Sequence, residues 1–394
     1  MDGGRAARTS LLREPALQAL LAVTVLGFAS YCLTLASLPT YAVEGGADAS
    51  TAGVVTAVFL GVTIAAQIAV PALTARFGTG PVLALGLLAM GLPSPLYALD
   101  DGLLWLSVLS AVRGVGFGII TVLGALLAAA VAPAERRGEA IGLYGLAVAV
   151  PNLIGVPAGV ALVLDGHAAW MAWLSASPLL GLLFLPALMR AAAPLVPSPG
   201  GGAGRRAVGA ALAPSAVLLA VTLAGGGVVT FLPIERPDGA LATVALVVMG
   251  VGAALARWRV GVLADRLGTR LLLPAGVAVG AVGMALLGAG LRWDDAALLV
   301  GVALFGISYG AVQNLTLLTA FARAGAGGAT AASAMWNASF DAGTAMGALA
   351  LGWVAGGLGL PWTYAWVAVL LAVTTPLAVA ATRPVAAVAR PPEA

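Results

Sequence analysis

The chain has 394 residues, 61% of them hydrophobic and only 9% charged, with a formal net charge of +3. Soluble domains carry about 25% charged residues; a mean hydropathy of +1.04 therefore excludes a water-covered globule and makes lipid the solvent for most of the surface. The 19 basic residues are all arginine and lie dispersed, without a basic stripe, which excludes a nucleic-acid partner.

Apolar runs of about 20 residues, long enough to cross the hydrocarbon core as helices, recur twelve times: near 16–41, 51–73, 81–99, 103–131, 138–164, 168–190, 213–233, 239–264, 270–290, 296–322, 328–357 and 361–382. The first follows Arg5, Arg8 and Arg13, as a signal peptide's run would, but it is too long for one and is read as an uncleaved helix. Along it Ser30, Thr34, Ser37 and Tyr41 repeat at helical spacing, with Tyr31 beside them. Cys32 is the only cysteine, so no intrachain disulfide can form, and its apolar setting predicts an inert thiol. Arg113 opens "RGVGFG" in the fourth run; about ten residues from the outer end, at 1.5 Å each, place it roughly 15 Å deep. Phe117 and Thr121 lie toward the same side. The fifth run carries Pro151, Gly155, Pro157 and Gly159. His167, the only histidine, follows; one His, one Cys and no carboxylate cluster argue against a zinc site or a His-based triad.

Between the sixth and seventh runs, Ala191 to Leu212 is rich in Pro, Gly and Ser and reads as a flexible linker. It predicts two halves, 1–190 and 213–394, joined by 191–212. The eighth run holds Arg257 and ends in "GVLADRLGTR", Gly261 to Arg270. In the tenth, Tyr309, Gln313 and Thr316 share a helical face, with Asn314 beside them; in the eleventh, Asn337, Asp341 and Thr344 do so at i, i+4, i+7. Asp341 is the only carboxylate in the middle of a run.

Arginine placement sets the orientation. With the N-terminus inside, fifteen arginines fall on inner segments and two, Arg236 and Arg292, on outer loops, which are acidic instead. This positive-inside bias predicts both termini in the cytoplasm. The halves also resemble each other at an offset near 190: "PALTARFGTG" (Pro71–Gly80) matches "GVLADRLGTR", and "GFGIITVLGAL" (Gly116–Leu126) matches "GISYGAVQNLT" (Gly306–Thr316). Parallel six-helix repeats are the plan of one large transporter class, with substrate bound between them at mid-membrane.

Gly261-Val262-Leu263-Ala264-Asp265-Arg266-Leu267-Gly268-Thr269-Arg270 resembles the signature loop of the major facilitator superfamily, Gly-x-Leu-Ala-Asp-Arg-x-Gly-x-Arg/Lys, which that family places between spans two and three and between eight and nine. It falls at both places here, though the first copy, which keeps Arg76 and Gly78, has Pro71, Ala75 and Gly80 where the family has Gly, an acid and a base. The resemblance implies an all-α membrane protein of twelve transmembrane helices in two six-helix bundles related by a pseudo-two-fold axis. It also implies a gate at the cytoplasmic side built from Arg76, Gly78, Gly261, Asp265, Arg266, Gly268 and Arg270. Asp265 can face the positive end of a neighbouring helix, and the start of span five, near Arg136, Arg137 and Glu139, is the expected partner; Arg266 and Arg270 can bond helix-end carbonyls or Asp265, or serve only as topological anchors.

Ionisable groups inside a membrane are costly and mark function by default. Asp341 and Arg113 are the expected proton-coupling groups. The expected cavity is lined by Arg113, Phe117, Thr121, Tyr31, Thr34, Tyr309, Gln313, Asn314, Asn337 and Asp341. Packing by carbonyl bonds is the alternative for Arg113, plain hydrogen bonding for Asp341, and interhelical bonding for each Ser or Thr. For Arg257, entry into the cavity and snorkelling to the headgroups are both open. The Gly- and Pro-bearing fifth run resembles that of drug and metabolite exporters in the family. The expected function is proton-coupled efflux of a drug-like compound or metabolite, with proton-coupled uptake of a small organic solute as the alternative and a transporter-like receptor or intramembrane enzyme as a remote one. No cofactor is expected; the partners are a small-molecule substrate, protons, with sodium still open, and the lipid bilayer, and the expected state is a monomer in a bacterial plasma membrane.

Overall fold

The computed structural model describes residues 11–48, 52–192, 203–235 and 240–383. The described residues form helices and connecting turns. The first half comprises α1 (Pro15–Glu44), α2 (Val54–Phe77), α3 (Thr79–Leu99), α4 (Leu103–Ala130), α5 (Arg137–Leu164) and α6 (Ala168–Arg190). The second comprises α7 (Ala203–Glu235), α8 (Ala240–Leu267), α9 (Thr269–Trp293), α10 (Asp295–Ala324), α11 (Ala329–Leu358) and α12 (Leu360–Ala381). Eleven of these are long and apolar enough to cross a membrane. α11 is 30 residues long but more polar, because Ser333, Asn337, Ser339 and Asp341 interrupt its apolar run. Twelve spans in two six-helix bundles result.

One expected boundary moves. α7 begins at Ala203, inside the stretch read as linker. The sequence from Ala203 to Leu212 is mainly Ala and Arg, both good helix formers, and Ala207 and Ala211 are buried against α10 and α11. Residues 193–202, which hold the Pro and Ser of that stretch, lie outside the described residues, as do Arg5, Arg8, Arg236 and Arg390.

Three helices of the first half are broken, and the polar groups freed inside the membrane are satisfied by neighbours, as the absence of water requires. α1 changes course at Ala36; Pro39 cannot donate to the Leu35 carbonyl, and Thr56 Oγ1 of α2 donates to it at 3.4 Å. α6 is interrupted after Leu174, and Ser30 Oγ of α1 donates to the Ser175 carbonyl at 2.5 Å. α3 ends its α-helical part at Gly91, leaving the Met90 carbonyl to Ser94 Oγ at 2.9 Å and to Arg113 Nε at 3.2 Å.

The internal repeat is visible in the turns. Gly78 (φ +82°) joins α2 to α3, and Gly268 (φ +75°) joins α8 to α9. Both occupy the left-handed region that a side chain would strain, which accounts for the one glycine that both copies of the loop retain at this place. Each half buries its own apolar cluster, around Leu83, Met90 and Ile119 in the first and Val277, Phe305 and Leu371 in the second.

The halves meet where α5 packs on α8 and α10, and where α11 packs on α2 and α4. At the end carrying the α2–α3 and α8–α9 turns, here called the arginine-rich end, the backbones touch: a Cβ on Gly138 would strike the Gly261 carbonyl oxygen, and one on Gly261 would strike that of Gly138. Hydrogen bonds cross between the halves on this side. Asn314 Nδ2 donates to the Gly138 carbonyl at 3.4 Å, and Ser333 Oγ to that of Val122 at 2.7 Å. The described state is thus shut at the arginine-rich end.

Candidate functional site: a charged central cavity

Between the halves lies a cavity. The first half contributes Phe28 and Tyr31 of α1, Phe117 and Thr121 of α4, and Tyr144, Val148 and Asn152 of α5. The second contributes Arg257 of α8 and Trp336, Asn337, Phe340 and Asp341 of α11. Five elements therefore supply one largely apolar, aromatic chamber with a guanidinium and a carboxyl group in its wall.

The aromatic walls are ordered by stacking. Tyr31 lies parallel to Phe117, with ring centroids 4.3 Å apart, and Phe28 meets Phe117 edge-on at 5.2 Å. On the other wall Trp336 stacks on Phe340 at 5.8 Å and donates its indole N–H to Thr316 Oγ1 at 3.0 Å. Such pairs fix flat faces at little entropic cost.

Asp341 sits at the seam. Its Oδ2 accepts from Gln67 Nε2 of α2 at 2.7 Å, and the same amide nitrogen donates to Thr121 Oγ1 at 3.2 Å. Gln67 is fully buried, and its Oε1 has no partner among the described residues. Asp341 makes no salt bridge there. Arg257 is only 7% exposed; it donates from one terminal nitrogen to Gln313 Oε1 at 2.8 Å, and its Nε has no partner among the described residues. Buried depth thus reaches the cavity wall, and the snorkelling alternative is set aside. At the arginine-rich mouth, Asp265 accepts from the backbone N–H of Gly138 at 2.8 Å and of Glu139 at 2.9 Å, capping the first turn of α5. Glu139 is in turn paired with Arg136 at 2.8 Å.

A two-bundle fold of twelve spans, a central cavity and a carboxylate-capped helix start between the halves coincide with a family match: the model described as Major Facilitator Superfamily covers residues 19–340. The chain belongs to the major facilitator superfamily. It is a transporter and not an enzyme. No curated protein matches it in sequence. Similar solved structures include the human organic anion transporter TETRAN, at a TM-score of 0.72 and 16% identity, covering 92% of this chain and 99% of that one. The proton:xylose symporter XylE bound to 6-bromo-6-deoxy-D-glucose is similar at 0.68 and 18%, covering 92% and 94%. The E. coli fucose:proton symporter FucP is similar at 0.68 and 14%, covering 93% and 98%. At these identities the likeness is one of fold.

Of the residues expected in the facilitator's cavity, Tyr31, Phe117, Thr121, Asn337 and Asp341 line it together. Gln313 stands behind Arg257 as its acceptor, and Asn314 belongs to the gate, bonding the Arg257 carbonyl at 2.8 Å as well as that of Gly138. Tyr309 packs on Gly225 of α7, beside Phe340. Two expectations are corrected. Arg113 and Thr34 are not in the cavity wall: Arg113 is fully buried inside the first half, where Ser30, Thr34, Tyr97 and the Met90 carbonyl take up its donors. Arg266 and Arg270 do not bond Asp265 or helix-end carbonyls; both are exposed, and Arg76 lies exposed over the Phe77 ring at 5.2 Å. The Asp265 cap has no symmetric counterpart, because Ala75 supplies no acid at the matching position.

Sequence reasoning missed Gln67, Tyr144, Asn152, Trp336 and Phe340. Gln67 was findable as the only amide in α2, and Asn152 as the only one in α5.

The Asp265 geometry yields a direct expectation. A carboxylate at a helix N-terminus contributes about 0.3–1 kcal/mol, and about 2 kcal/mol when partly buried. Asp265→Asn removes the charge and one acceptor, so the closed-to-open ratio should fall by roughly two- to thirty-fold. Labelling of Val148→Cys in a Cys32→Ser background, with an impermeant thiol reagent applied from the arginine-rich side, should accelerate accordingly. An unchanged rate would leave closure to the Gly138–Gly261 contact and the Asn314 and Ser333 hydrogen bonds.

Proposed function

We propose that this transporter moves a small organic molecule through the central cavity by alternating access, and that Asp341 carries the coupled proton. What supports the reading is the setting of Asp341: a carboxylate in the cavity wall, at the seam, bonded to Gln67 of the opposite half and unpaired with any arginine among the described residues. Such a group gains or loses a proton without first breaking a salt bridge. Gln67 can serve both forms, since its amide nitrogen donates to the carboxylate and its unpartnered oxygen, after a flip of the amide, accepts from the acid. The contact between halves then survives while the charge in the cavity changes.

The arginine-rich end, by the positive-inside rule, faces the cytoplasm, so the described state is closed to the cytoplasm. Export of a drug-like compound or metabolite by antiport is the direction that the sequence favours. It requires proton and substrate to compete for Asp341. The α5 glycines behind that expectation serve packing within the first half, Gly155 and Gly159 on Cys32 and Leu33 of α1, as Gly343 and Gly347 of α11 do on Thr222 and Leu223 of α7. Both directions need that packing. Uptake with the proton is the second reading, and Arg257 is the observation that favours it. A substrate bringing negative charge into the cavity would strengthen proton binding at Asp341, and ligands that favour each other's binding travel together.

Reconstitution decides. Proteoliposomes given labelled aromatic amines and acids should show counterflow. Acid inside should drive accumulation if export by antiport is right, and acid outside if uptake is right. Accumulation indifferent to either gradient but following a sodium gradient would remove the proton from the mechanism.

A further inference from the structure

The two deeply buried arginines are treated differently by the fold. Arg113 uses all five N–H donors: Nε on the Met90 carbonyl, one terminal nitrogen on Thr34 and Tyr97, and the other on the carbonyl and hydroxyl of Ser30. Arg257 uses one, on Gln313. Its Nε is buried without a partner, its side chain is 93% withdrawn from solvent by the 7% exposure that remains, and no carboxylate lies within salt-bridge distance of it among the described residues. A guanidinium stays charged at any accessible pH. Leaving a buried charge unpaired is costly unless something supplies the counter-charge.

The side chain is also berthed. A Cβ on Gly145 of α5 would strike the Nε, Cδ and Cγ of Arg257, so the side chain reaches from the second half across a glycine of the first, and Arg257 lines the cavity. Beside it stand the flat apolar faces of Phe117 with Tyr31 and of Trp336 with Phe340.

We propose that Arg257 is the subsite for an anionic group of the substrate, and that the substrate is an organic acid, a carboxylate or sulfonate, on an aromatic body. The planar fork of Arg257 suits two-oxygen anions, and the stacked rings suit an aromatic frame. The inference rests on the transport reading for its use of the cavity, but not on the direction of transport.

The test uses the purified full-length chain and three matched probes: 2-naphthoate, 2-naphthalenesulfonate and the uncharged methyl 2-naphthoate. The two anions should raise the melting temperature and saturate in titration calorimetry, while the ester should bind about tenfold more weakly or not at all, the ratio expected when one charge-assisted contact is lost. Arg257→Gln should remove the preference for the anions. Because that variant could fail to fold, Gln313→Glu is the second probe. It keeps the shape and places a carboxylate against Arg257, so it should raise the melting temperature of the ligand-free protein and weaken the anions by about tenfold or more. Equal binding of ester and anions, anion binding unaffected by Gln313→Glu, or equal stabilisation by inorganic sulfate would each overturn the proposal. Proteoliposome counterflow separates it from the reading on which it rests. Anions that bind through Arg257 but show no counterflow refute transport and leave the subsite standing; counterflow confined to the ester does the opposite.

Discussion

Asp341→Asn is expected to abolish transport driven by a pH gradient while sparing substrate counterflow. Asparagine keeps an oxygen to accept from Gln67 Nε2, so the 2.7 Å bond between the halves has a direct replacement and the described state should still form. What is lost is the proton: the variant presents one fixed, neutral form in both facing states. Counterflow exchanges labelled for unlabelled substrate and needs no net proton movement, so it should continue at a rate within a few-fold of the parent. Gradient-driven accumulation should fall by about tenfold or more, to the level set by leak, since no other carboxylate lines the cavity among the described residues. Gradient-driven accumulation at the parental level in this variant would move the proton elsewhere, or replace it by sodium, which a sodium gradient in the same vesicles would reveal.

The experiment also separates coupling from charge balance at the substrate. If Arg257 holds an anion, Asp341→Asn removes a like charge from the same cavity and should tighten that anion, whereas a cationic substrate would lose its counter-charge and weaken. The direction of the change in affinity therefore reports the sign of the substrate, and with it whether proton and substrate compete or cooperate.

Depth was legible in the sequence; the face of each helix was not. Apolar run lengths placed twelve spans, and the repeat placed the two glycine turns, because both follow from covalent spacing and the thickness of a bilayer. The role of Asp265 was legible for a similar reason: a carboxylate beside a tight turn has few partners other than a helix N-terminus, and Gly138 and Glu139 provide it. Arg113 and Arg257 show the limit. Both lie well inside their spans with apolar neighbours, yet only Arg257 meets the cavity. The difference is set by partners remote in sequence, Ser30, Thr34, Met90 and Tyr97 for one, Gly145 and Gln313 for the other. The breaks in α1, α3 and α6 create part of that polar surrounding, and apolar periodicity does not reveal them. Gln67 stood out as the only amide in α2, but its role was not legible, because its partner is 274 residues away, in the other half.

Arg113→Lys is expected to destabilise the protein strongly even though it keeps the charge. Arginine here ties α4 to two other elements, bonding the Met90 carbonyl and the Tyr97 hydroxyl of α3 and the middle of α1, with its guanidinium 5.3 Å from the Tyr97 ring centroid. Lysine brings at most three donors from a single nitrogen and cannot reproduce the fork. At least two hydrogen bonds to a charged group are lost, each worth about 1.5–3 kcal/mol, and the Met90 carbonyl and Ser30 are left to find other partners where no water is at hand. A destabilisation of about 3 kcal/mol or more should follow, read as a melting temperature lower by several degrees in detergent. Arg113→Ala should do worse, since it adds a cavity to the lost bonds. Because Arg113 stands behind the cavity wall, protein that remains folded at low temperature should bind substrate and show counterflow with an affinity within a few-fold of the parent. A variant that melts like the parent but no longer binds substrate would mean that Arg113 turns into the cavity in another state of the cycle, and that its saturated bonding belongs only to the state closed at the arginine-rich end.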